Sequence, residues 1–95
     1  MAVKIIISRK VPKGRGKDII PLLKQLRTLA LHQPGYIAGE TLRNVNDPED
    51  YKVISTWISP EEWHKWESNP KRYELQKQID DILGTSTNYG IYYYE

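Results

Sequence analysis

The sequence predicts an α+β protein with a ferredoxin-like βαββαβ sandwich, built on an antiparallel sheet of four strands. Segments rich in β-branched and aromatic residues, typical of strands, alternate with amphipathic helical segments in the order strand, helix, strand, strand, helix, strand. The length of 95 residues corresponds to one small domain. We therefore expect a single domain over residues 1–95, with the helices on one side of the sheet.

The first part of the chain predicts a strand, a loop and a helix. Residues 3–8 are mostly β-branched and become apolar on both faces, which indicates a strand that is covered on both sides. After a loop with proline and two glycines, apolar residues recur at spacings of three and four up to Leu31. Pro21 is tolerated only in the first turn of a helix, so we expect this helix to begin near Asp18.

The middle of the chain predicts an antiparallel hairpin. Residues 36–43 and 51–58 are rich in the β-branched and aromatic side chains that favour strands. Residues 44–50 between them are asparagine, aspartate and proline in the main, which is typical of a turn. Adjacent strands joined in this way pair with each other, here through a long polar loop.

The last third of the chain predicts a second helical region and a final strand. Ser59 precedes a proline and has Glu62 three residues further on, the signature of a capping box that starts a helix over residues 60–67. A second pair of capping residue and proline starts a helix over residues 70–83, and a glycine ends it. The tyrosine-rich residues 89–94 are expected to form the last strand.

One face of this sheet is expected to need a second copy of the chain. Two helical regions can cover only one face of a four-stranded sheet. The third strand is nevertheless apolar on both sides, with Val53 and Trp57 on one and Ile54 and Ile58 on the other. We therefore expect a homodimer that forms by sheet-to-sheet packing.

Composition narrows the classes of function. The chain has no cysteine, which excludes disulfides, thiolate metal sites and cysteine nucleophiles. Its two histidines have no acidic residue at ligand spacing, so we expect no metal site, and no cofactor motif is present. The net charge of +2 is too small to indicate nucleic-acid binding, which requires a basic domain with a clustered positive face. No apolar run approaches the ~18 residues of a membrane span, and no signal peptide is evident, so we expect a cytoplasmic protein.

Several segments resemble the antibiotic biosynthesis monooxygenase (ABM) family. They are residues 33–43 (QPGYIAGETLR), 51–57 (YKVISTW) and 63–66 (WHKW), with further likeness at residues 19–20 and 91–95. The resemblance covers nearly the whole chain and implies a dimeric α+β barrel. The family includes cofactor-free oxygenases of polycyclic phenols and quinols, haem-degrading enzymes, and members of no known activity.

The haem-degrading branch of the family can be compared with this chain position by position. That branch uses an asparagine on the first strand, a tryptophan in the second helical region and a histidine as haem ligand. The tryptophan position matches Trp66, whereas the asparagine position falls at Ile7 and the histidine position near Gln76. Isoleucine cannot hydrogen-bond to haem-bound oxygen and glutamine is a poor iron ligand. These two departures from the pattern of the haem-degrading branch argue against haem degradation.

Five residues are the candidates for a functional site. Trp66 matches the pocket tryptophan of the family, Ile7 takes the first-strand position, and Tyr73 is one of seven tyrosines that supply hydroxyls. Gln76 shares the inward stripe of its helix, where it either bonds to a buried partner or orients a ligand. His32 stands at a helix C-terminus, where it is either a cap or, if it reaches the cavity, the best candidate for a general base.

A basic stretch follows the first strand. It is either a solvated loop or a means of attracting an anionic substrate towards the mouth of the pocket, and its members are Arg9, Lys10, Lys13, Arg15 and Lys17.

Two functions remain open at this level. The first is a cofactor-independent monooxygenase of a small electron-rich aromatic, such as a quinol or polyphenol, in which the substrate itself supplies electrons to O₂. The second is a non-catalytic dimeric module of the same fold that binds a small apolar ligand. An ionisable side chain, His32 or a tyrosine, in a closed cavity beside Trp66 would favour the enzyme, whereas a lining of Trp, Leu and Ile alone would favour the binding module.

Overall fold

A computed structural model describes all 95 residues and contains four strands and three helices. The elements in chain order are β1 (Val3–Lys10), α1 (Gly16–Leu31), β2 (Tyr36–Arg43), β3 (Asp50–Trp57), α2 (Pro60–Glu67), α3 (Pro70–Leu83) and β4 (Asn88–Tyr93). The predicted βαββαβ order is confirmed, with the second helical region divided into α2 and α3.

The four strands form one sheet in the order β2-β3-β1-β4, and every neighbouring pair is antiparallel. The predicted hairpin of β2 and β3 is present, with a bulge between Tyr36 and Ala38. At the centre of the sheet Ile7 lies opposite Val53 on one side and Tyr89 on the other. This is the ferredoxin-like arrangement that the order of elements predicts.

The two faces of β1 have different environments. The odd-numbered residues Val3, Ile5, Ile7 and Arg9 are all at most 6% exposed. The first three pack with Trp57 and with side chains of α1 and α2 in the main hydrophobic core. The even-numbered residues point to the other face, since side chains alternate along a strand, and these residues are only half-buried within β1 apart from the exposed Lys10. The helices therefore cover one face of the sheet.

Two predicted boundaries were wrong by two residues. β1 continues to Lys10 because its pairing with β3 extends through Arg9 opposite Tyr51 and Lys10 opposite Asp50. Helix α1 begins at Gly16, so Pro21 lies in its second turn and not in the first. Pro21 lacks the N–H that would bond to the carbonyl four residues earlier. It is exposed, so water can satisfy that carbonyl.

The predicted starts of the later helices are confirmed. Ser59 Oγ accepts a hydrogen bond from the Glu62 N–H at 3.3 Å, and Asn69 Oδ1 accepts one from the Lys71 N–H at 2.9 Å. The side chain of Glu62 pairs with Lys65 at 3.3 Å and so does not complete the capping box. None of the three helices combines the length and apolar character that crossing a bilayer requires.

Candidate active site

A cavity of about 70 Å³ lies between the sheet and the helices, and aromatic side chains form much of its wall. All three tryptophans of the chain line it. Tyr36 meets Trp57 edge to face with ring centroids 5.3 Å apart, and Trp57 meets Trp63 in the same way at 5.8 Å. Edge-to-face pairs of this kind are a preferred arrangement of aromatic rings, and they give the wall ring faces and edges that suit a flat apolar ligand.

Tyr36 crosses the edge of the cavity above a glycine of the same strand. A Cβ atom on Gly39 would lie only 2.5 Å from the Tyr36 hydroxyl oxygen, so any larger residue at this position would displace the ring. The carbonyl oxygen of Gly39 accepts a hydrogen bond of 2.9 Å from Arg27 Nη2 of α1. Helix α1 and strand β2 are thereby joined at the rim of the cavity.

Two arginines of the cavity lining, Arg9 on β1 and Arg72 on α3, are buried, each 5% exposed. Arg9 Nη2 donates to Gln76 Oε1 at 2.8 Å, and Arg72 Nη2 donates to the Tyr89 hydroxyl at 2.7 Å. The guanidinium of Arg72 also lies over the rings of Trp63 and Tyr89, with centroid distances of 5.3 and 5.2 Å. Neither arginine forms an ion pair with a carboxylate.

Burial lowers the pKa of Arg9 to about 10. The positive charge of Arg72 acts in the same direction, whereas Tyr89 and Asp80 oppose the shift. The cause is desolvation, because a low-dielectric environment disfavours the charged form of a base. Arg9 is still charged at neutral pH, so the cavity contains two poorly hydrated positive charges.

Gln76 hydrogen-bonds to Arg9, and both its amide oxygen and its amide nitrogen have hydrogen-bond partners. Its oxygen accepts from Arg9, and its Nε2 donates to Asp80 Oδ1 at 2.9 Å and to Thr87 Oγ1 at 2.7 Å. Thr87 in turn donates to Asp80 at 2.9 Å. The amide is therefore not free to bind iron, and Ile7 supplies no hydrogen bond, so these residues do not fit a haem site.

The structure places the five predicted site residues in three different settings. Trp66 and Ile7 line the cavity, and Gln76 supports Arg9 from behind. Tyr73 is 65% exposed on α3, and His32 is exposed at the C-terminal cap of α1. Neither belongs to the lining. His32 does not reach the cavity, as a general base would have to, because α1 ends with this side chain in solvent.

Three residues of the site, Arg9, Arg72 and Tyr36, were not among the sequence candidates. The burial of the two arginines has a sequence signal: Arg9 continues the odd-numbered series of β1, and Arg72 stands three residues before Leu75 on the inward stripe of α3. The remaining members of the basic stretch are exposed, as a solvated loop requires: Lys10, Lys13, Arg15 and Lys17. No three His, Cys, Asp or Glu side chains come together as a metal-binding group.

Fold and cavity together define a class of protein: a ferredoxin-like α+β domain with an aromatic-walled cavity between its sheet and its helices. Within that class, the chain belongs to the antibiotic biosynthesis monooxygenase family, whose model matches residues 2–78. The resemblance seen in the sequence is thus confirmed. Among proteins with a curated description, none matches the chain.

Solved structures share the fold over almost their whole length. A conserved protein from Methanosarcina mazei superposes with a TM-score of 0.92 at 17% identity, covering 100% of this chain and 94% of that one. A mutant of SnoaB, a cofactor-independent oxygenase from Streptomyces nogalater, gives 0.87 at 13% identity over 99% and 93%. Rv0793 from Mycobacterium tuberculosis gives 0.88 at 10% identity over 100% and 96%. These similarities confirm the fold.

Proposed function

We propose that the chain is a cofactor-independent monooxygenase of a small electron-rich aromatic, such as a quinol or polyphenol. Membership of the antibiotic biosynthesis monooxygenase family supports this proposal. The observation that carries it is the aromatic wall: four rings line a cavity between the sheet and the helices, and the residues are Tyr36, Trp57, Trp63 and Trp66. Such a wall holds a flat ring in one orientation and excludes water from it.

The proposed reaction balances without an added reductant. A quinol and O₂ give a hydroxyquinone and water: one oxygen atom forms a bond to a ring carbon, and the other leaves as water. The four electrons that reduce O₂ come from the ring, which loses its two hydroxyl protons and one C–H bond. The protein contributes position and environment, since a phenolate anion held in a water-excluded site is the species that gives up an electron to O₂.

Entry of a ring requires the cavity to widen. Its volume of about 70 Å³ is roughly half of the ~150 Å³ that accommodates benzene in an apolar cavity. The exposed members of the lining on the helix side of the sheet, Arg27 and Thr41, mark the side on which the cavity is open to solvent. We infer that the substrate enters between α1 and β2, with Trp66 and Ile7 as part of the inner wall.

Oxygen uptake tests the proposed activity directly. The purified protein with a panel of quinols should consume O₂ faster than the quinols do by autoxidation. Trp66→Phe removes part of the ring wall but keeps an aromatic core residue, so we expect kcat/KM to fall about 10-fold, as ~1.4 kcal/mol of lost positioning would produce. His64→Gln is the matched control, because His64 is exposed on the same helix and pairs only with Glu67.

The uptake experiment has two unfavourable outcomes. If no quinol of the panel is consumed above its autoxidation rate, the proposed activity fails for those substrates. If uptake occurs but Trp66→Phe and His64→Gln retain it equally, the reaction does not take place at the aromatic wall.

A non-catalytic ligand-binding module is the second candidate function. Tyr36 in the lining is an ionisable side chain and favours the enzyme. The observation in favour of the module is that neither histidine lines the cavity, and that Glu40, opposite Ile54, has its carboxylate on the other face of the sheet. A protein of this kind would bind the same aromatic ligands without consuming O₂. Binding of the same quinols, followed by tryptophan fluorescence, without O₂ uptake would identify it.

We further propose that the chain forms a homodimer by packing the uncovered faces of two sheets together. Ile6 and Ile54 are paired across β1 and β3 on that face and are only half-buried in the single chain. Leu42 and Tyr92, on the flanking strands, are 44% and 53% exposed. The same face also carries Lys4, Glu40 and Lys52, and exposed apolar side chains bordered by polar ones are typical of an interaction surface. The predictions of a cytoplasmic location and of no nucleic-acid partner stay predictions.

Sedimentation or light scattering tests the proposed dimer. The wild-type chain should have twice the mass of the 11.1 kDa protomer. Ile54→Glu places an unpaired charge in the centre of the interface, so we expect the dimer dissociation constant to rise at least ~10-fold. Val45→Glu, in the exposed β2–β3 loop, is the control of equal charge. A wild-type monomer, or a dimer that Ile54→Glu leaves intact, would contradict sheet-to-sheet packing.

A further inference from the structure

Two buried nitrogen atoms of the chain lack a hydrogen-bond partner: Arg9 Nε and Trp63 Nε1. Both are N–H donors, and both belong to residues that line the cavity described above. Buried polar groups in native proteins almost always have partners, since an unmet donor loses its hydration without compensation. Two unmet donors from different elements, β1 and α2, at one cavity therefore point to a ligand that accepts hydrogen bonds.

The charges of the cavity lining indicate that this ligand is negatively charged. Arg9 and Arg72 are buried in the lining and neither has a carboxylate partner. Asp80 does not contact Arg9 directly, because Gln76 lies between them and hydrogen-bonds to both. Glu40, the one acidic residue that borders the cavity, lies opposite Ile54, so its carboxylate is on the uncovered face of the sheet. Buried charges in proteins are normally paired, so the cavity has an excess of positive charge that an anion would neutralise.

We propose that the aromatic ligand of this cavity bears a carboxylate group, which Arg9, Trp63 and Arg72 receive. A carboxylate is charged at neutral pH and offers about four acceptor positions on two oxygens. It also matches the planar guanidinium group, with which it forms paired hydrogen bonds. A phenolate, the reacting species of the proposed oxygenase, offers one charged oxygen, whereas a carboxylate offers two oxygens to two guanidinium groups and an indole N–H. The inference rests on the proposed function for the aromatic part of the ligand, whereas the donors and charges stand independently of turnover.

Benzoate and its neutral isostere benzamide test this assignment without any reaction. Binding is followed by intrinsic fluorescence, which reports on this cavity because all three tryptophans line it. We expect benzoate to bind at least ~10-fold more tightly than benzamide, as a hydrogen bond to a charged group implies. In ¹⁵N-labelled protein the Nε–H signals of Arg9 and Trp63 should shift with benzoate and move little with benzamide.

Two arginine variants test whether the preference for benzoate comes from Arg9. Arg9→Gln removes the charge and the Nε donor, so the affinity for benzoate should fall about 10- to 100-fold while that for benzamide changes less than about 2-fold. Arg15→Gln, at an exposed arginine outside the cavity, removes the same charge and should leave both affinities unchanged. The wild-type comparison of the two probes needs no variant and holds even if Arg9→Gln does not fold.

The outcomes separate this inference from the proposed activity. Equal affinity for the two probes, no binding of benzoate, or unshifted Arg9 and Trp63 signals would overturn the carboxylate assignment. A preference for benzoate in a protein that consumes no O₂ would uphold the assignment and refute the oxygenase. Uptake with neutral quinols in a protein without that preference would do the reverse.

Discussion

Replacing Trp57 by alanine is expected to lower the free energy of unfolding by about 3–5 kcal/mol, the usual effect of removing a large buried aromatic side chain. Trp57 is 1% exposed at the end of β3 and packs edge to face against Tyr36 and Trp63. Its indole N–H donates to Ser55 Oγ at 3.1 Å. The substitution leaves a void next to an existing cavity and frees both neighbouring rings.

Urea denaturation of Trp57→Ala measures this loss, and thermal unfolding gives a second value. For a domain of this size each kcal/mol lowers Tm by about 4–8 °C, so we expect a fall of at least ~12 °C. Trp57→Phe keeps most of the apolar volume and should lose clearly less stability. A loss below about 1 kcal/mol in Trp57→Ala would show that the aromatic wall is not part of the structural core.

Replacing Gln76 by leucine is expected to destabilise the protein by about 2–3 kcal/mol, the effect of removing a hydrogen bond to a buried charged group. Gln76 provides the hydrogen-bond acceptor of the buried Arg9 guanidinium and connects it to Asp80 and Thr87. Leucine has similar size but leaves Arg9 with a second unmet donor. The loss therefore comes from polar groups and not from packing.

A matched substitution on the same helix separates the two causes. Gln78→Leu makes the same chemical change at an exposed position of α3 and should alter the free energy of unfolding by less than about 0.5 kcal/mol. If Gln76→Leu is as stable as the wild type in urea denaturation, the hydrogen bond to Arg9 does not hold the buried charge in place.

The elements of the fold could be predicted because their signals are local. Ser59 and Asn69, each followed by a proline, start α2 and α3 as the sequence indicates, and Gly84 ends α3 with a left-handed φ of +69°. The start of α1 was less predictable. Its first residue has no capping side chain before it, so Pro21 was the one available marker, and it lies in the second turn.

The site could be predicted only in part because it depends on contacts between distant residues. Trp66 and Ile7 follow from the family resemblance and lie in the lining. In the sequence Arg9 is grouped with a basic stretch, either solvated or attracting an anionic substrate. The alternation of β1 turns it inward, and Gln76, 67 positions away, accepts its hydrogen bond there. His32 illustrates the reverse case. The end of α1 was predicted correctly, but the direction in which its last side chains point depends on the packing of the whole helix.

The close approach of Tyr36 to Gly39 makes the width of the cavity entrance a property of the β2 backbone. The ring occupies the space that a Cβ at position 39 would take, at 2.5 Å from the hydroxyl oxygen. The size of the side chain at position 39 thus controls where the Tyr36 ring rests, without contributing any chemical group of its own. For redesign of ligand selectivity, Gly39 is consequently the position at which a single methyl group would reshape the entrance while the charged interior stayed unchanged.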